Sequence, residues 1–373
     1  MLNGMKVEHN GLRTWIEIDT KAIHANYQTF RKILPKKVRI LGVVKSNAYG
    51  HSIVEYSREL EKLGIDMLAV DSLVEALVIR KSGIKTPVLV LGYTLPEMFA
   101  KALRKNIHLT ISSIEGLKFF LKTPFANVIP IHLKVDTGMH RQGFLLPEIK
   151  KVLKMITEEK INVAGLYTHF ASAKDPNERL FTKGQIAEFE IWRSAILLAG
   201  FTPIVHASAT GGSLYFNEAH YDMVRIGAGL YGFWPDDKNF SAKPVLSWKT
   251  IISEIKEIPA GSCVGYDLTH KVKKDTRIAV CPVGYWHGYP RALSNNADVL
   301  VQGKRAKVLG RISMDMIVID VTSIPRVKIG CEVVLIGSTG KEEISANEIA
   351  ERAGTSAYEI LTRLNPLMKR IYL

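Results

Sequence analysis

The sequence predicts an α/β fold in which an eight-stranded barrel is followed by a mostly β C-terminal domain. Between residues 39 and 232, short apolar segments alternate with amphipathic helical ones, whereas beyond residue 241 the segments become short and β-branched. A chain of 373 residues is long enough for a barrel of about 250 residues and a smaller partner. We therefore expect two domains, residues 1–240 and 241–373.

Eight strands are predicted in the first domain, at residues 39–45, 67–71, 87–92, 108–112, 128–136, 163–170, 204–210 and 223–227. Helices are predicted between them, at residues 52–63, 73–81, 97–105, 114–121, 147–157 and 178–199. Several of these helices end just before a glycine. This alternation is typical of parallel βα units, and eight units favour a closed (β/α)8 TIM barrel over an open sheet.

The second domain begins after a predicted linker at residues 234–241. Its strands are predicted at residues 247–258, 277–283, 297–301, 316–321 and 332–336. Ser345 and Glu348 have the spacing of a capping box, which predicts a helix there, and another helix is expected after Gly354.

The composition is typical of a soluble globular protein, with 47% hydrophobic and 23% charged residues. No apolar segment has the length of a signal peptide or a membrane span, so we expect a cytoplasmic protein without a membrane partner. Three widely spaced cysteines predict reduced thiols and no metal site. The net charge of +14 comes from scattered residues without a basic stripe, which argues against a nucleic-acid partner.

Polar side chains are predicted at the carboxyl ends of the barrel strands, where barrel enzymes carry their active sites. They are Lys45, Lys134, Asp136, His169, Thr210 and Arg225. Lys45 follows an apolar strand and is expected to face a cavity, where a desolvated amine can attack the aldehyde of pyridoxal phosphate. The alternative is a strand-end lysine whose amine reaches solvent.

A glycine pattern at residues 227–232 has the spacing of a dinucleotide-binding fingerprint, but no helix is predicted after it. Phosphate binding is the better interpretation, because barrels often bind phosphate on the loops after strands seven and eight. Those loops are residues 210–212 and 225–228. A simple tight turn remains the alternative.

Two arginines and a histidine are candidates for contacts with a pyridoxal ring and its substrate. Arg225 is expected to donate to the ring nitrogen and leave it uncharged, which makes the ring a weaker electron sink. The alternative is an ion pair with Asp222 or Asp136. Arg141 can bind a substrate carboxylate with two hydrogen bonds. For His169, a hydrogen-bond network is favoured over a metal site, because no second ligand lies at metal spacing.

Together these motifs resemble the alanine racemases, pyridoxal phosphate enzymes with a barrel followed by a β domain. The resemblance covers nearly the whole chain. It rests on six segments in the family's order, residues 44–51, 134–143, 222–227, 264–269, 310–315 and 354–359.

The resemblance implies that Lys45 binds pyridoxal 5'-phosphate covalently and is the base on the D face of the substrate. Tyr266 of the other subunit is then the base on the L face, and a racemase needs two such bases. An ordinary phenol is protonated at neutral pH, so Tyr266 needs a supporting network, which His169 and Arg225 are expected to form.

The resemblance also implies the remaining contacts. Phosphate is expected to be held by Tyr49, Thr210, Gly227, Ala228 and Tyr358. The substrate carboxylate is expected on Arg141 and the Met314 backbone, Lys134 matches a lysine that is often carbamylated, and Tyr285 narrows the entrance. Because Tyr266 and Tyr285 act on the other subunit's site, a homodimer is implied.

Five positions depart from the family's usual residues. Trp286 and His287 follow the entrance tyrosine in place of a small residue and an aspartate, and Asp267 replaces a frequent glycine beside Tyr266. Ala209 and Thr210 stand in place of an asparagine and a serine, so the hydroxyl is kept and the amide is lost. They affect the expected access, the tyrosine base and one cofactor contact. The function expected is interconversion of L- and D-alanine for peptidoglycan. The alternatives are a racemase for serine or another amino acid, and a non-catalytic pyridoxal phosphate carrier.

Overall fold

The computed structural model describes residues 11–233 and 240–373, and its chain forms two compact units. One unit consists of Ile23–Ala48 and Ile53–Ala242. The other joins the described residues up to Ala22 with Tyr49–Ser52 and Lys243–Leu373. Residues 234–239 of the predicted linker lie outside the described residues.

The first unit contains the predicted barrel of eight parallel strands. The strands are Arg39–Val43, Met67–Val70, Val88–Val90, Ile107–Ile111, Ile131–Lys134, Val163–Tyr167, Ile204–His206 and Met223–Ile226. Each pairs in parallel with the next up to the seventh, and the first pairs with the eighth. The ring is completed by the Asp222 N–H donating to the Val205 carbonyl at 3.1 Å and the Arg225 N–H donating to the Ser208 carbonyl at 2.9 Å. The barrel prediction is therefore confirmed.

Helices lie between the strands, as predicted. They are Ile53–Lys62, Leu73–Lys81, Phe99–Arg104, Ile114–Leu121, Ile149–Glu158 and Arg179–Leu198. Three further helices were not predicted, at Thr20–Ile33, Thr210–Tyr215 and Ala228–Tyr231. The last two are only one to two turns long, and glycines within them weaken a helical sequence signal.

The second unit is built on a ten-stranded sheet, which confirms the mostly β prediction. Its strands are Thr14–Ile18, Leu246–Ile251, Glu254–Ile258, Thr276–Cys281, Asp298–Val301, Lys304–Leu309, Ile317–Asp320, Glu332–Thr339, Glu342–Ile344 and Arg370–Tyr372. A separate pair joins Cys263–Val264 to His270–Lys271. The predicted helices are present at Ala346–Ala353 and Ala357–Thr362, and the Ser345 hydroxyl accepts the Glu348 N–H at 3.1 Å.

The strand Thr14–Ile18 pairs with Leu246–Ile251 and with Arg370–Tyr372. The chain's first described residues therefore belong to the second unit, whereas the division at residue 240 assigned them to the barrel. Pairing between segments so far apart leaves no local pattern in the sequence.

The barrel interior contains a close approach between Gly165 and the His132 imidazole. A Cβ at position 165 would lie 2.1 Å from His132 Nδ1. Only glycine, which has no Cβ, avoids this clash, so the sixth strand can lie against the His132 imidazole without displacing it.

We expect Gly165→Ala to destabilise the protein by about 1–3 kcal/mol, because the added methyl group must displace His132 or the strand. Gly184→Ala is the matched control: Gly184 lies within the helix Arg179–Leu198 and a Cβ there meets nothing within 4 Å. That change should stabilise the protein by about 0.5–1 kcal/mol. Urea unfolding of both variants measures the difference, and equal stabilities would contradict the packing argument.

Candidate active site

The strand ends of the barrel bring together several of the predicted cationic side chains. Burial, followed by the charges of Arg141, Arg225 and Lys45, lowers the pKa of Lys134 to about 8 against the opposing effect of Asp136. The cationic groups therefore lie close enough to Lys134 for their charges to act on it. Because like charges in one cavity repel, the site is suited to binding anions.

The loop after the fifth barrel strand places Arg141 at this site. The Asp136 carboxylate accepts the backbone N–H groups of residues 138–141, at distances from 2.9 to 3.0 Å. Burial opposes ionisation of Asp136, but these four donors hold its pKa below the ordinary value. Lys134, Arg141, Gln142 and His169 line a small cavity here, in which the Lys134 ammonium donates to Gln142 Oε1 at 3.2 Å.

Arg225 is 3% exposed, and its guanidinium donates to five acceptors. They are the carbonyls of Thr168, His206 and Ala207 and the Nδ1 atoms of His169 and His206. Burial lowers the pKa of Arg225 to about 10, so it stays protonated at neutral pH. The two carboxylates considered as alternative partners bond elsewhere, because Asp222 accepts the Val205 N–H and Asp136 holds the Arg141 loop.

A column of three imidazoles supports Arg225 from inside the barrel. Since a guanidinium only donates, His206 must accept at Nδ1 and carry its hydrogen on Nε2. His206 Nε2 therefore donates to His132 Nδ1, with 2.9 Å between the two nitrogens. His132 Nε2 in turn donates to His108 Nδ1, with 3.2 Å between the nitrogens. The direction of all three hydrogen bonds is thus set by Arg225. Sequence reasoning missed these histidines, although each lies within a barrel strand.

His169 accepts a hydrogen bond from Arg225 at Nδ1. Burial lowers the pKa of His169 well below its ordinary value, and the charges of Arg225 and Lys134 lower it further. His169 is therefore a neutral member of the hydrogen-bond network around Arg225. Among the described residues, no group of three or more histidine, cysteine, aspartate or glutamate residues can hold a metal ion.

The loops after the seventh and eighth strands lie against each other. The Thr210 hydroxyl, which is buried, accepts the Gly229 N–H at 3.4 Å. A Cβ on Gly229 would come within 2.5 Å of the Phe30 ring, so only glycine allows this approach. The helices Thr210–Tyr215 and Ala228–Tyr231 both begin here, and the first N–H groups of a helix have no partner within it. Such donors suit a phosphate group.

Lys45 is followed by a left-handed turn. Ser46, Asn47, Ala48 and Tyr49 have φ values of 55°, 56°, 52° and 51°. For residues other than glycine this conformation costs roughly 1–2 kcal/mol each, and it normally occurs in single residues. Strain of this kind concentrates at functional sites, where neighbouring contacts maintain it. A turn after the apolar strand is expected from the sequence, but its left-handed conformation is not, since only asparagine among these residues tolerates positive φ well.

Three predicted segments of the second unit pack together. The Tyr285 N–H donates to the Ser313 carbonyl at 3.1 Å, and the Trp286 N–H donates to the Met314 carbonyl at 3.0 Å. A Cβ on Gly284 would lie 2.2 Å from the Ser313 oxygen, so glycine permits this contact. Gly310 approaches the Val264 carbonyl in the same way, which brings the Tyr266 segment alongside.

The departures from the usual family residues have local roles in this unit. Asp267 forms an ion pair with Arg311, with 2.7 Å between Oδ2 and Nε. His287 Nδ1 accepts the Gly284 N–H at 3.2 Å, and burial lowers the pKa of His287. Trp286 is exposed.

Tyr49 and Tyr358, both predicted phosphate contacts, have ring centroids 5.9 Å apart.

Large side chains remain exposed on the second unit. They include Tyr266, Leu268, Tyr285, Trp286, Met314, Met316 and Tyr358. Tyr266 has 70% of its surface exposed, an unusual state for a tyrosine on a segment that the packing otherwise fixes. Within the described part of the chain, no helix is long and apolar enough to cross a membrane.

An anionic aldehyde is the ligand that best fits a barrel cavity with a lysine at a strand end, several further cations and paired phosphate-type loops. This combination defines a pyridoxal phosphate-dependent enzyme. The donor set fits the cofactor: an amine for the aldehyde, a permanent donor for the ring nitrogen, and a hydroxyl and backbone N–H groups for the phosphate.

Comparisons with known proteins identify the family. Residues 18–235 match the alanine racemase N-terminal domain, and residues 245–372 match the alanine racemase C-terminal domain. The chain is 39% identical to an alanine racemase of Leptospira interrogans, over 96% of this chain and 95% of the relative. An alanine racemase of Methanococcus maripaludis is also 39% identical, over 96% and 98%.

Solved structures agree with this result. The alanine racemase of Bacillus anthracis with bound L-Ala-P has a TM-score of 0.90 and 35% identity, over 97% of this chain and 95% of that chain. The alanine racemase of Clostridium difficile has a TM-score of 0.91 and 30% identity, over 97% and 96%. The chain belongs to the alanine racemase family.

The imidazole column makes stability depend on pH. Burial lowers the pKa of His108 from 6.5 to about 4, and lowers those of His132 and His206 well below 6.5. Below pH 6.5 these histidines therefore bind protons in the unfolded chain but not in the folded chain, so the free energy of unfolding decreases as the pH falls toward 4.

We expect His108→Phe to reduce the pH dependence of stability, because the variant has one fewer histidine that is protonated only in the unfolded chain. The measurement is the unfolding free energy at a series of pH values between 7 and 4, where subtracting variant from parent cancels the titration of carboxylates. If both proteins lose stability with the same slope, His108 is not held neutral in the folded state.

Proposed function

We propose that this chain interconverts L-alanine and D-alanine, with Lys45 of one subunit and Tyr266 of the other acting as bases on opposite faces of the substrate. The observation that carries the proposal is the convergence of Lys45 with Arg141, Arg225 and His169 at the strand ends of a barrel whose family is alanine racemase. In the direction from L-alanine to D-alanine, the reaction would supply D-alanine for peptidoglycan in the cytoplasm.

Pyridoxal phosphate, when bound, withdraws electrons from the Cα of the amino acid and so makes its proton removable. Lys45 would hold it covalently, and His169 would lie beside it. The phosphate would be held by Tyr49, Thr210, Gly227, Ala228 and Tyr358. Residues 1–240, predicted as the barrel domain, would thus make most of the cofactor contacts. Residues 241–373 would contribute Tyr266, Tyr285, Met314 and Tyr358.

Arg225 sets the character of the chemistry. Its five acceptors and its pKa of about 10 keep it charged, so it would donate a hydrogen bond to the ring nitrogen without transferring its proton. A ring that stays neutral draws less charge away from Cα. By leaving the ring neutral, Arg225 would favour return of the proton to Cα, and so racemisation, over side reactions at the cofactor.

The two bases exchange the Cα proton. One base, in its unprotonated form, removes the Cα proton on its face, and the other, in its protonated form, donates a proton on the opposite face, which inverts the configuration. Lys45 Nζ serves one face and the Tyr266 oxygen serves the other. Arg141 and the Met314 backbone would hold the substrate carboxylate and so fix which bond to Cα faces each base. Tyr285 would narrow the entrance and favour a small side chain.

Lys134 is proposed to be carbamylated. A pKa of about 8 leaves roughly a tenth of the amine neutral at pH 7, and a neutral amine can combine with carbon dioxide. The resulting anion would lie near Arg141, whose charge contributes to the lowered pKa. It would offset the concentration of positive charge at this site.

A homodimer with shared sites accounts for the exposed residues of the second unit. Tyr266, Tyr285 and Met314 are 70%, 44% and 54% exposed in the single chain. Side chains of this size are usually covered in a functional assembly. A two-fold dimer would place each set in the partner's site.

The first test is chiral chromatography of the products from L-alanine, L-serine and L-lysine with purified protein and pyridoxal phosphate. We expect conversion of alanine and its loss in Lys45→Ala, because that variant lacks one base and the covalent link. Faster conversion of another substrate would support the alternative racemase. Cofactor binding without any racemisation would instead indicate a carrier.

Shared sites are tested by mixing two inactive variants, Lys45→Ala and Tyr266→Phe, under conditions that exchange subunits. In a mixed dimer one site carries both changes and the other carries neither, so random mixing should restore about a quarter of the parent activity. Each variant alone is the control. If the bases came from one chain, the mixture would stay inactive.

A further inference from the structure

We infer that Glu75 is a positioning residue for Lys45, an inference that rests on the proposed function of Lys45. The Glu75 carboxylate accepts backbone hydrogen bonds from two loops. Oε1 accepts the N–H of Ser46 at 2.6 Å and of Asn47 at 3.4 Å. Oε2 accepts the N–H of Asp71 at 2.9 Å and of Ser72 at 3.4 Å.

One carboxylate therefore joins the carboxyl ends of the first two barrel strands. The Ser46 contact belongs to the residue directly after Lys45, and the Asp71 contact follows the second strand, Met67–Val70. Hydrogen bonds to an ionised carboxylate are about twice as strong as those between neutral groups. Glu75 thus fixes the chain at the point where the Lys45 side chain leaves it.

The left-handed turn explains why such an anchor is needed. Its four residues adopt a conformation that their side chains disfavour, so an unsupported chain would relax to ordinary backbone angles. Within the turn the Ala48 N–H bonds the Val44 carbonyl at 2.9 Å, and Asn47 Oδ1 accepts the Ile53 N–H at 2.9 Å. These contacts hold the end of the turn, and Glu75 holds its beginning.

Glu75 is itself rigidly placed. It is the third residue of the helix Leu73–Lys81, whose capping box also includes the Ser72 hydroxyl. Leu73, Ala76 and Ile79 of the helix are buried. Relaxation of the turn would rotate the Lys45 Cα–Cβ bond and move its amine, so Glu75 would act through the backbone N–H groups that it accepts. A displacement of about 1 Å at a reacting group can reduce a rate about a hundredfold.

The test compares Glu75→Ala with Ser72→Ala, which breaks the same capping box but leaves the Ser46 contact intact. The first readout is amide hydrogen exchange of residues 44–50 in the protein without cofactor. We expect Glu75→Ala to speed exchange in this segment by roughly tenfold to a hundredfold, because bonds to a charged acceptor are lost. Ser72→Ala should leave it near the parent rate.

The second readout separates kcat from KM for racemisation. Glu75→Ala should lower kcat at least about tenfold with little change in KM for alanine, whose carboxylate contacts it leaves in place. Glu75→Gln serves if the alanine variant does not fold: its amide group must face two N–H donors on one side, so it should also speed exchange.

Exchange at the parent rate in both Glu75 variants would overturn the inference, as would equal kcat losses in Glu75→Ala and Ser72→Ala. An inactive parent protein would instead contradict the proposed function, and the exchange comparison in the cofactor-free protein would still decide whether Glu75 holds the turn.

Discussion

The barrel of this protein depends on a single buried positive charge, that of the Arg225 guanidinium. A charge removed from water must find compensation in the protein, and here three carbonyls and two imidazoles supply it. The Tyr167 ring adds a cation–π contact, with 5.3 Å from the guanidinium carbon to the ring centroid. Tyr167 in turn stacks on His206 at 4.7 Å, so the aromatic and imidazole layers form around one cation.

The hydrogen-bond direction set by Arg225 continues through the imidazole column inside the barrel. Each imidazole can accept only at the nitrogen that carries no hydrogen, so the choice made at His206 determines His132 and then His108. The column therefore has one arrangement of hydrogens as long as every member is neutral. Protonation of any member would place two donors face to face and would weaken the support of Arg225.

The sequence was sufficient for the barrel, for the β domain and for the cationic strand ends. Strand ends could be predicted because apolar runs stop there: Lys45 follows one such run, Lys134 ends another, and Arg225 lies one residue before the end of Met223–Ile226. His108, His132 and His206 could not, since a histidine inside an apolar strand has the same local pattern whether it is isolated or part of a column. The strand Thr14–Ile18 was missed because its partners lie at the other end of the chain.

Two unfavourable features coincide at the carboxyl end of the barrel: a strained turn after Lys45 and a group of neighbouring cations. They are stabilised by different parts of the chain, since Glu75 holds the turn and Asp136 orders the loop of Arg141. Asp136 offsets the positive charge only in part, because burial and the neighbouring cations still lower the pKa of Lys134 to about 8. The positive potential is thus left for the ligands, and the geometry of Lys45 is set independently of that potential. A protein selected for stability alone would avoid both features, and their separate supports indicate that the position of the amine and the charge of the cavity are distinct requirements of the reaction.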